Sequence, residues 1–348
     1  MKRFLIPWLA GLLACVLLLE MVCRLLPVNS APRMQDTSDA APVRRFHAHQ
    51  DYVYSFGWAF GNAQRGRSNA LGFNHAPDEV RPGGLLLLGD SYIEAQMLPT
   101  PSTLQARLEA RFPGQVTSVA ASVNGLADHL QNARRFAPEF RSAVVVVQVE
   151  SGDVADIAAA PAGGHTAFVE TQGVIRSVHQ PYTESAFKTR ASASALFRYL
   201  YYNLKVQTWR PSFWRAVDQV VKPGTASVPA AEQKRRMLSY FFDEWATLAK
   251  QDNFRTVFLL DADRRAIYQP GRPELNAWTP GDREMFLSLA GTAGLEVIDL
   301  QGPFARHWQT TRERVDFSPM DYHWNATGNR IVARELASRI QLASSPQD

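Results

Sequence analysis

The stretch Leu85-Leu86-Leu87-Leu88-Gly89-Asp90-Ser91-Tyr92 decides how this chain is read. Four leucines without a polar break describe a strand buried on both faces, as in parallel sheets covered by helices. Ligands of open α/β sheets bind beyond the C-terminal ends of such strands, where Gly89, Asp90 and Ser91 fall. Gly89 lets the backbone turn sharply. Ser91, opening the next segment, can present its hydroxyl as a nucleophile while its own N–H faces a developing oxyanion. A serine that only caps the following helix is the plain alternative.

Outward from that strand, apolar runs recur at 116–119, 143–149, 256–260 and 296–298. They alternate with amphipathic stretches at 103–112, 130–136, 231–250, 282–290 and 325–340. The pattern predicts a three-layer α/β/α domain with about five parallel strands. Residues 154–229 are too long for a simple crossover and are read as an insertion with its own helix around 194–206. That insertion carries Phe197, Tyr199, Tyr201, Tyr202, Trp209, Phe213 and Trp214 among Arg198, Lys205, Arg210 and Arg215. Aromatic faces of this kind stack on sugar rings or sit at membrane surfaces, although core packing is the commonest role.

The second block with chemistry is Asp321-Tyr322-His323-Trp324-Asn325-Ala326-Thr327-Gly328-Asn329, before the last amphipathic stretch. An ionised aspartate only accepts, so Asp321 can hold one ring nitrogen of His323 protonated and leave the other free to take the Ser91 proton. Asn325 is a candidate N-cap for the final helix. Alone, an Asp-x-His is a surface turn and Trp324 a core residue; together with Ser91 they suggest a triad.

The Gly-Asp-Ser block after the first strand and the late Asp-x-His-Trp-Asn-x-x-Gly block resemble the SGNH (GDSL-like) hydrolase superfamily, over about residues 51–340 and in the same order. Ser68–Asn74 is similar to the segment before the nucleophile strand in membrane-anchored members. The resemblance implies a flavodoxin-like three-layer fold, with Ser91 as nucleophile, His323 as base, Asp321 as its orienting acid, and Ser91 and Gly125 as oxyanion donors. The Asp321-x-His323 spacing resembles sugar O-acetyltransferase-like branches. One block departs from the family pattern. Where members carry Gly-Asn-Asp, this chain reads Glu150-Ser151-Gly152-Asp153, with Gly152 at the oxyanion Asn position. Loss of one such donor costs about 10² to 10³ in rate. Asn124 is the candidate substitute beside Gly152, and Asp90 and Arg264 are candidate substrate contacts. His129 and Tyr268 fall near strand ends, where a core or solvated role is the more common one.

At the N-terminus Met1-Lys2-Arg3 precedes an apolar run from Phe4 to Leu26, interrupted by Glu20 and Arg24 four residues apart. As a helix it is long enough to cross a hydrocarbon core of about 30 Å. Residues 1–27 are therefore expected to be a signal anchor, with a cleaved signal peptide as alternative. The short basic leader puts the N-terminus inside and the body outside the cytoplasm, the periplasm in a Gram-negative cell. Residues 28–50 lack apolar period and read as a flexible linker. Residues 51–343 form the catalytic domain, and 344–348 a tail.

Lys and Arg number 37 against 33 Asp and Glu, a net +4. The first fifty residues hold six of these cations and three of the anions, which leaves the body near neutral and without a footprint for nucleic acid. Both cysteines, Cys15 and Cys23, lie in the apolar run, so the body has no disulfide or thiolate metal site. His47 and His49 are a weak metal pair in a solvated stretch. No GxxxxGK, GxGxxG or HExxH occurs, and neither cofactor nor metal is expected. The expected function is a serine esterase or O-acyltransferase acting on O-acyl groups of an extracytoplasmic polysaccharide. Its partners would be the acylated carbohydrate, the membrane and polysaccharide-biosynthesis proteins. A catalytically inactive carbohydrate-binding or assembly protein, motivated by Gly152, and a lipid or thioester hydrolase are the alternatives.

Overall fold

A computed structural model describes residues 2–30, 32–208, 228–268 and 277–342. Among these the strands are β1 (Asp51–Phe56), β2 (Gly61–Arg67), β3 (Leu85–Gly89), β4 (Val116–Ala120), β5 (Val144–Val149), β6 (Thr166–Thr171), β7 (Val174–His179), β8 (Arg255–Leu260) and β9 (Glu296–Asp299). The five apolar runs pair as one parallel sheet in the order β4-β3-β5-β8-β9, the doubly wound order with a switch point between β3 and β5. Leu88 lies opposite Val119 on one side and Val147 on the other.

Side chains alternate across a strand, so each run feeds two cores. Leu86, Leu88, Val145, Val147, Phe258 and Leu260 pack under the helices Leu126–Glu139, Val228–Gln251 and Asp282–Thr292. Leu85, Leu87, Val144, Val146, Val257 and Leu259 pack under Leu104–Glu109, Gln301–Thr311 and Ala326–Ala337. That is why these strands are continuously apolar, and it gives the three-layer architecture expected from the sequence. The hairpin β6–β7 was not foreseen: β6 alternates buried and half-buried residues but has no long apolar run.

The chain divides into two compact units, the larger made of the described residues of 34–50, 68–183 and 228–342. The smaller comprises 2–33, 51–67 and the described residues from 184 onward in the insertion. The smaller unit contains the helix Lys2–Leu25, whose segment Ile6–Leu25 has a mean hydropathy of 2.2 and is long and apolar enough to cross a membrane. Glu20 pairs with Arg24 at 2.7 Å, as expected. Its carboxylate also accepts from Ser194 Oγ (2.7 Å), Ala195 N (3.0 Å) and Leu196 N (2.9 Å), capping the helix Ala195–Arg198. The expected helix at 194–206 is thus broken into that helix, a π-helical turn over Tyr199–Asn203 and a 3₁₀ turn over Val206–Thr208. In the hairpin β1–β2, Ser55 Oγ donates to Pro27 O and accepts from Asn203 Nδ2.

Two expectations are corrected. Residues 28–50 are not a free linker. Ser30 N donates to Val53 O in the smaller unit, while in the larger Thr37 N donates to Tyr182 O, Phe46 N to Gly72 O, and Val43 and Phe46 are buried. Irregular backbone lacks periodicity yet can be pinned residue by residue through tertiary hydrogen bonds. Nor do residues 51–343 cohere as one body, because 51–67 and the insertion from 184 onward cluster with the N-terminal helix. Trp209, Arg210, Phe213, Trp214, Arg215 and the 344–348 tail lie outside the described residues.

Candidate active site

Ser91 sits where β3 ends and the short helix Ser91–Glu94 begins. The turn depends on Gly89, since a Cβ there would overlap Ile93 Cγ1. Asp90 caps the helix, its Oδ1 accepting from Tyr92 N at 2.8 Å. Ser91 N–H lies in the first helical turn, without an intrahelical partner, and is available to an oxyanion.

The second block arrives on the loop after the helix Gln301–Thr311, and its residues Asp321 to Asn325 and Gly328 each have a physical task. Asn325 caps the last helix through Thr327 N (2.9 Å) and Gly328 N (3.0 Å), while its Nδ2 donates to Arg314 O (2.9 Å) and Asp316 O (3.1 Å). Gly328 passes so close to Val315 O that no side chain fits. Trp324 is buried and donates Nε1 to Asp261 Oδ1 at 2.9 Å. His323 Nε2 lies 2.6 Å from Ser91 Oγ, and its Nδ1 is bonded to Asp321 Oδ1, which also accepts from His323 N at 3.1 Å. The imidazole stacks on Tyr322 (centroids 4.7 Å apart) and lies against Tyr92 (4.9 Å). The three residues expected to form a triad are therefore brought together in one hydrogen-bonded line.

Behind that line is a buried network that the sequence did not foretell. Asp261, one residue past β8, accepts from Trp324 and from Arg264 Nη2 (2.9 Å). Arg264 also donates to Tyr92 Oη and Tyr322 O, and lies 3.6 Å from Asp316. Arg264 was expected to touch substrate. At 2% exposure, and with these partners, it instead braces both aromatic neighbours of His323. The sequence signal was only an Asp and an Arg three residues apart after a strand. Tyr268 is likewise a core residue, its Oη accepting from Val315 N (3.0 Å). His129 is fully buried, and burial lowers its pKa to about 4.

A cavity of about 330 Å³ is lined by Asp90, the residue before Ser91, and by Asn124, Gly125, Glu150, Gly152 and Asp153 among others, with Ile157 and Phe168 on its apolar side; Ser91 and His323 are not in its lining. Asn124 is 3% exposed and neither polar atom of its amide has a hydrogen-bond partner. The preceding Val123 is exposed with φ of 71°, a left-handed conformation that costs a β-branched residue energy and is typical of functional turns. That turn is held by buried Glu94, which accepts from Ser122 N (2.8 Å) and Ser122 Oγ, and by Arg44 Nη1, which donates to Ser122 O at 2.9 Å. Arg44 also donates to His165 Nε2, whose Nδ1 faces Asp128 Oδ2 at 2.8 Å. A residue read as linker thus braces the cavity.

The backbone donors expected of Gly125 and Gly152 are engaged elsewhere. Gly125 N–H donates to Asp128 Oδ2 (3.2 Å), and Gly152 N–H to the Glu150 carboxyl. Asp90 is among the residues that line the cavity. Burial, together with neighbouring Glu150, pushes the Asp90 and Asp153 carboxyls well above the usual carboxylate range. Among the described residues no cluster of His, Cys, Asp or Glu has metal-holding geometry.

The sheet order, the strand-end serine and the late Asp-x-His block are those that the resemblance to the SGNH superfamily implies. Residues 224–348 match the family model described as "SGNH hydrolase-like domain, acetyltransferase AlgX", so in its C-terminal part the chain resembles acetyltransferases. None of the curated proteins matches the chain. Similar solved structures include the acetyl xylan esterase AlAXEase, 13% identical, covering 74% of this chain and 100% of that one with a TM-score of 0.42. LAE5, an alpha/beta hydrolase from the metagenome of Lake Arreo, Spain, is 15% identical over 75% and 95% of the two chains, with a TM-score of 0.39. A mutant of Axe2, an acetyl-xylooligosaccharide esterase from Geobacillus Stearmophilus, is 12% identical over 76% and 97%, with a TM-score of 0.40.

Proposed function

We propose that this chain is a serine-dependent acyl-ester hydrolase or O-acyltransferase that works on O-acyl groups of a polysaccharide outside the cytoplasm. The observation that carries the reading is the line from Asp321 through His323 to Ser91, with 2.6 Å between His323 Nε2 and Ser91 Oγ. Ser91 Oγ attacks the acyl carbonyl while His323 Nε2 takes its proton, and Asp321 keeps Nδ1 protonated and the ring in place. The sugar oxygen leaves with the proton from His323, giving an acyl-Ser91 ester. Water clears that ester in a hydrolase and a second hydroxyl in a transferase; both return the hydrogen to Ser91.

The match of residues 224–348 to an acetyltransferase family model supports acetyl as the acyl group. A cavity of about 330 Å³ leaves room for a sugar ring beyond an acetyl, which supports a carbohydrate partner. The apolar helix segment Ile6–Leu25 supports membrane attachment, and the basic Lys2-Arg3 before it is the reason for putting the site outside the cytoplasm, where enzymes that assemble the glycan would be its partners. Covalent labelling with a fluorophosphonate tests the reading: label on wild-type protein and none on Ser91→Ala is expected, together with release of acetate from an activated ester by wild type alone. Wild-type protein that neither labels nor releases acetate would favour the carbohydrate-binding alternative, which the engaged N–H groups of Gly125 and Gly152 motivate.

A further inference from the structure

Outside the helix Lys2–Leu25, the exposed aromatic side chains among the described residues are Trp58, Phe187 and Tyr201, with 75%, 76% and 39% of their surface open. All three belong to the smaller unit, the one that holds that helix. Trp58 is in the turn between β1 and β2, Phe187 on the helix Ala186–Ser192 and Tyr201 in the π-helical turn. Open apolar surface gathered in one unit marks a face that something else covers.

Glu20 sets the level of these elements. The uncharged run 4–19 has sixteen residues, about 24 Å as a helix, so a hydrocarbon core of about 30 Å takes in Glu20 as well. With Ile6–Leu25 as the span, Glu20 lies five residues, about 7.5 Å, short of the end that leads into the body. Its carboxylate accepts from Ser194 Oγ, Ala195 N and Leu196 N, and Arg24 Nη2 donates to Ala193 O at 3.4 Å, so residues 193–196 are held at that level. Those donors and Arg24 also offset the cost of a carboxylate within the leaflet. The hairpin is tied to the same place. Cys23 and Ala195 are buried together, Phe60, Leu196 and Tyr199 pack on them, and Tyr199 Oη donates to Trp58 O at 3.1 Å. A helix lying in a bilayer interface buries its apolar face about 5–10 Å into the headgroup and acyl boundary, the depth that Glu20 gives to the helix Ala195–Arg198. Residues 184–208 carry Lys188, Arg190, Arg198 and Lys205 against Glu184 alone, an excess that suits anionic headgroups.

We propose that the turn 57–60 and residues 186–203 form a collar that seats in the headgroup region of the leaflet from which the helix Lys2–Leu25 emerges, with Trp58, Phe187 and Tyr201 as aromatic anchors and an anionic phospholipid surface as the partner. The proposal rests on the reading of Ile6–Leu25 as a membrane span. The bilayer is the occupant because the collar is packed against the last turns of a helix whose own side chains stay open, Ile6 at 70% and Leu25 at 87%. Aromatic rings with an apolar body and a polar edge gather at this level of a membrane. Helix and collar together fix the tilt and rotation of the smaller unit against the bilayer.

The test is immersion depth, read by spin-label EPR on the full chain in bilayers of phosphatidylethanolamine and phosphatidylglycerol. Cys15, the exposed native thiol, is replaced by alanine, and nitroxides are attached in the variants Ala10→Cys, Trp58→Cys and Phe187→Cys. Collision with oxygen against a water-soluble nickel chelate should put position 10 in the hydrocarbon core and positions 58 and 187 within about 10 Å of the headgroup level. In protein with its native cysteines, phospholipid brominated near the ester end of its chains should quench tryptophan fluorescence, and Trp58→Phe should lose part of that quenching. Water values at 58 or 187 with position 10 in the core, or quenching unchanged by Trp58→Phe, overturn the collar and leave the anchor standing. A water value at position 10 overturns the membrane span and the collar with it.

Discussion

Replacing Arg264 with methionine removes the cation from the network behind His323 while keeping a side chain of similar length. Its guanidinium holds Asp261 at 2.9 Å, lies 3.6 Å from Asp316, and donates to Tyr92 Oη and Tyr322 O. Breaking a buried ion pair from one side costs about 3–5 kcal/mol, because the remaining charge is stranded. Here Asp261 keeps Trp324 Nε1 and Asp316 keeps Arg314 at 2.8 Å, so the loss should fall near the lower end, about 3 kcal/mol. At roughly 2–4 °C per kcal/mol for a domain of this order of size, the melting temperature should drop on the order of 10 °C. The pH dependence has a defined sign. Burial already raises Asp261 above its ordinary 3.8, with Arg264 opposing, and without Arg264 the folded value rises further. The folded state then binds a proton that the unfolded chain gives up, so variant stability falls as pH rises from 3.8 through the folded value. The deficit against wild type is widest above that value and shrinks toward acid. Activity should fall as well, since Tyr92 and Tyr322 flank the imidazole and a displacement of about 1 Å can cost 10²-fold. Thermal melts at several pH values and ester kinetics read both effects. A variant that melts within a degree of wild type and keeps its kcat would refute the account of this network.

Asp321→Asn should leave the fold intact and lower kcat by about 10⁴, because an amide can hold His323 in the wrong tautomer; steady-state kinetics with an activated ester check it. Arg44→Gln frees the Ser122 carbonyl and His165, so the turn presenting Asn124 should loosen and kcat/KM fall by roughly 10 to 10² with only a modest change in melting temperature. In membrane fractions the intact protein should resist high salt and yield to detergent, since burial of an apolar helix is not screened by ions; release by salt alone would argue against an anchor at Ile6–Leu25.

The sheet was legible because its strands are buried on both faces and so read as uninterrupted apolar runs, and the cap of the last helix because Asn325 is a residue type with one local use there. The same locality made Ser91, His323 and Asp321 findable, since each belongs to a short motif whose spacing carries its chemistry. What depended on contacts between distant segments was out of reach. Arg44 lies in a stretch with no period at all, yet meets Ser122 78 residues later. Arg264 resembles any strand-end cation until the fold buries it against Tyr92, and Gly152 reads as a lost donor until the Glu150 carboxyl is seen lying over it. Periodicity encodes which face a residue turns to the core, and it was this that the sequence by itself determined. Only the tertiary structure decided which donor meets which acceptor between segments far apart in the chain, because such a hydrogen bond depends on distance and angle in space and leaves no pattern along the sequence.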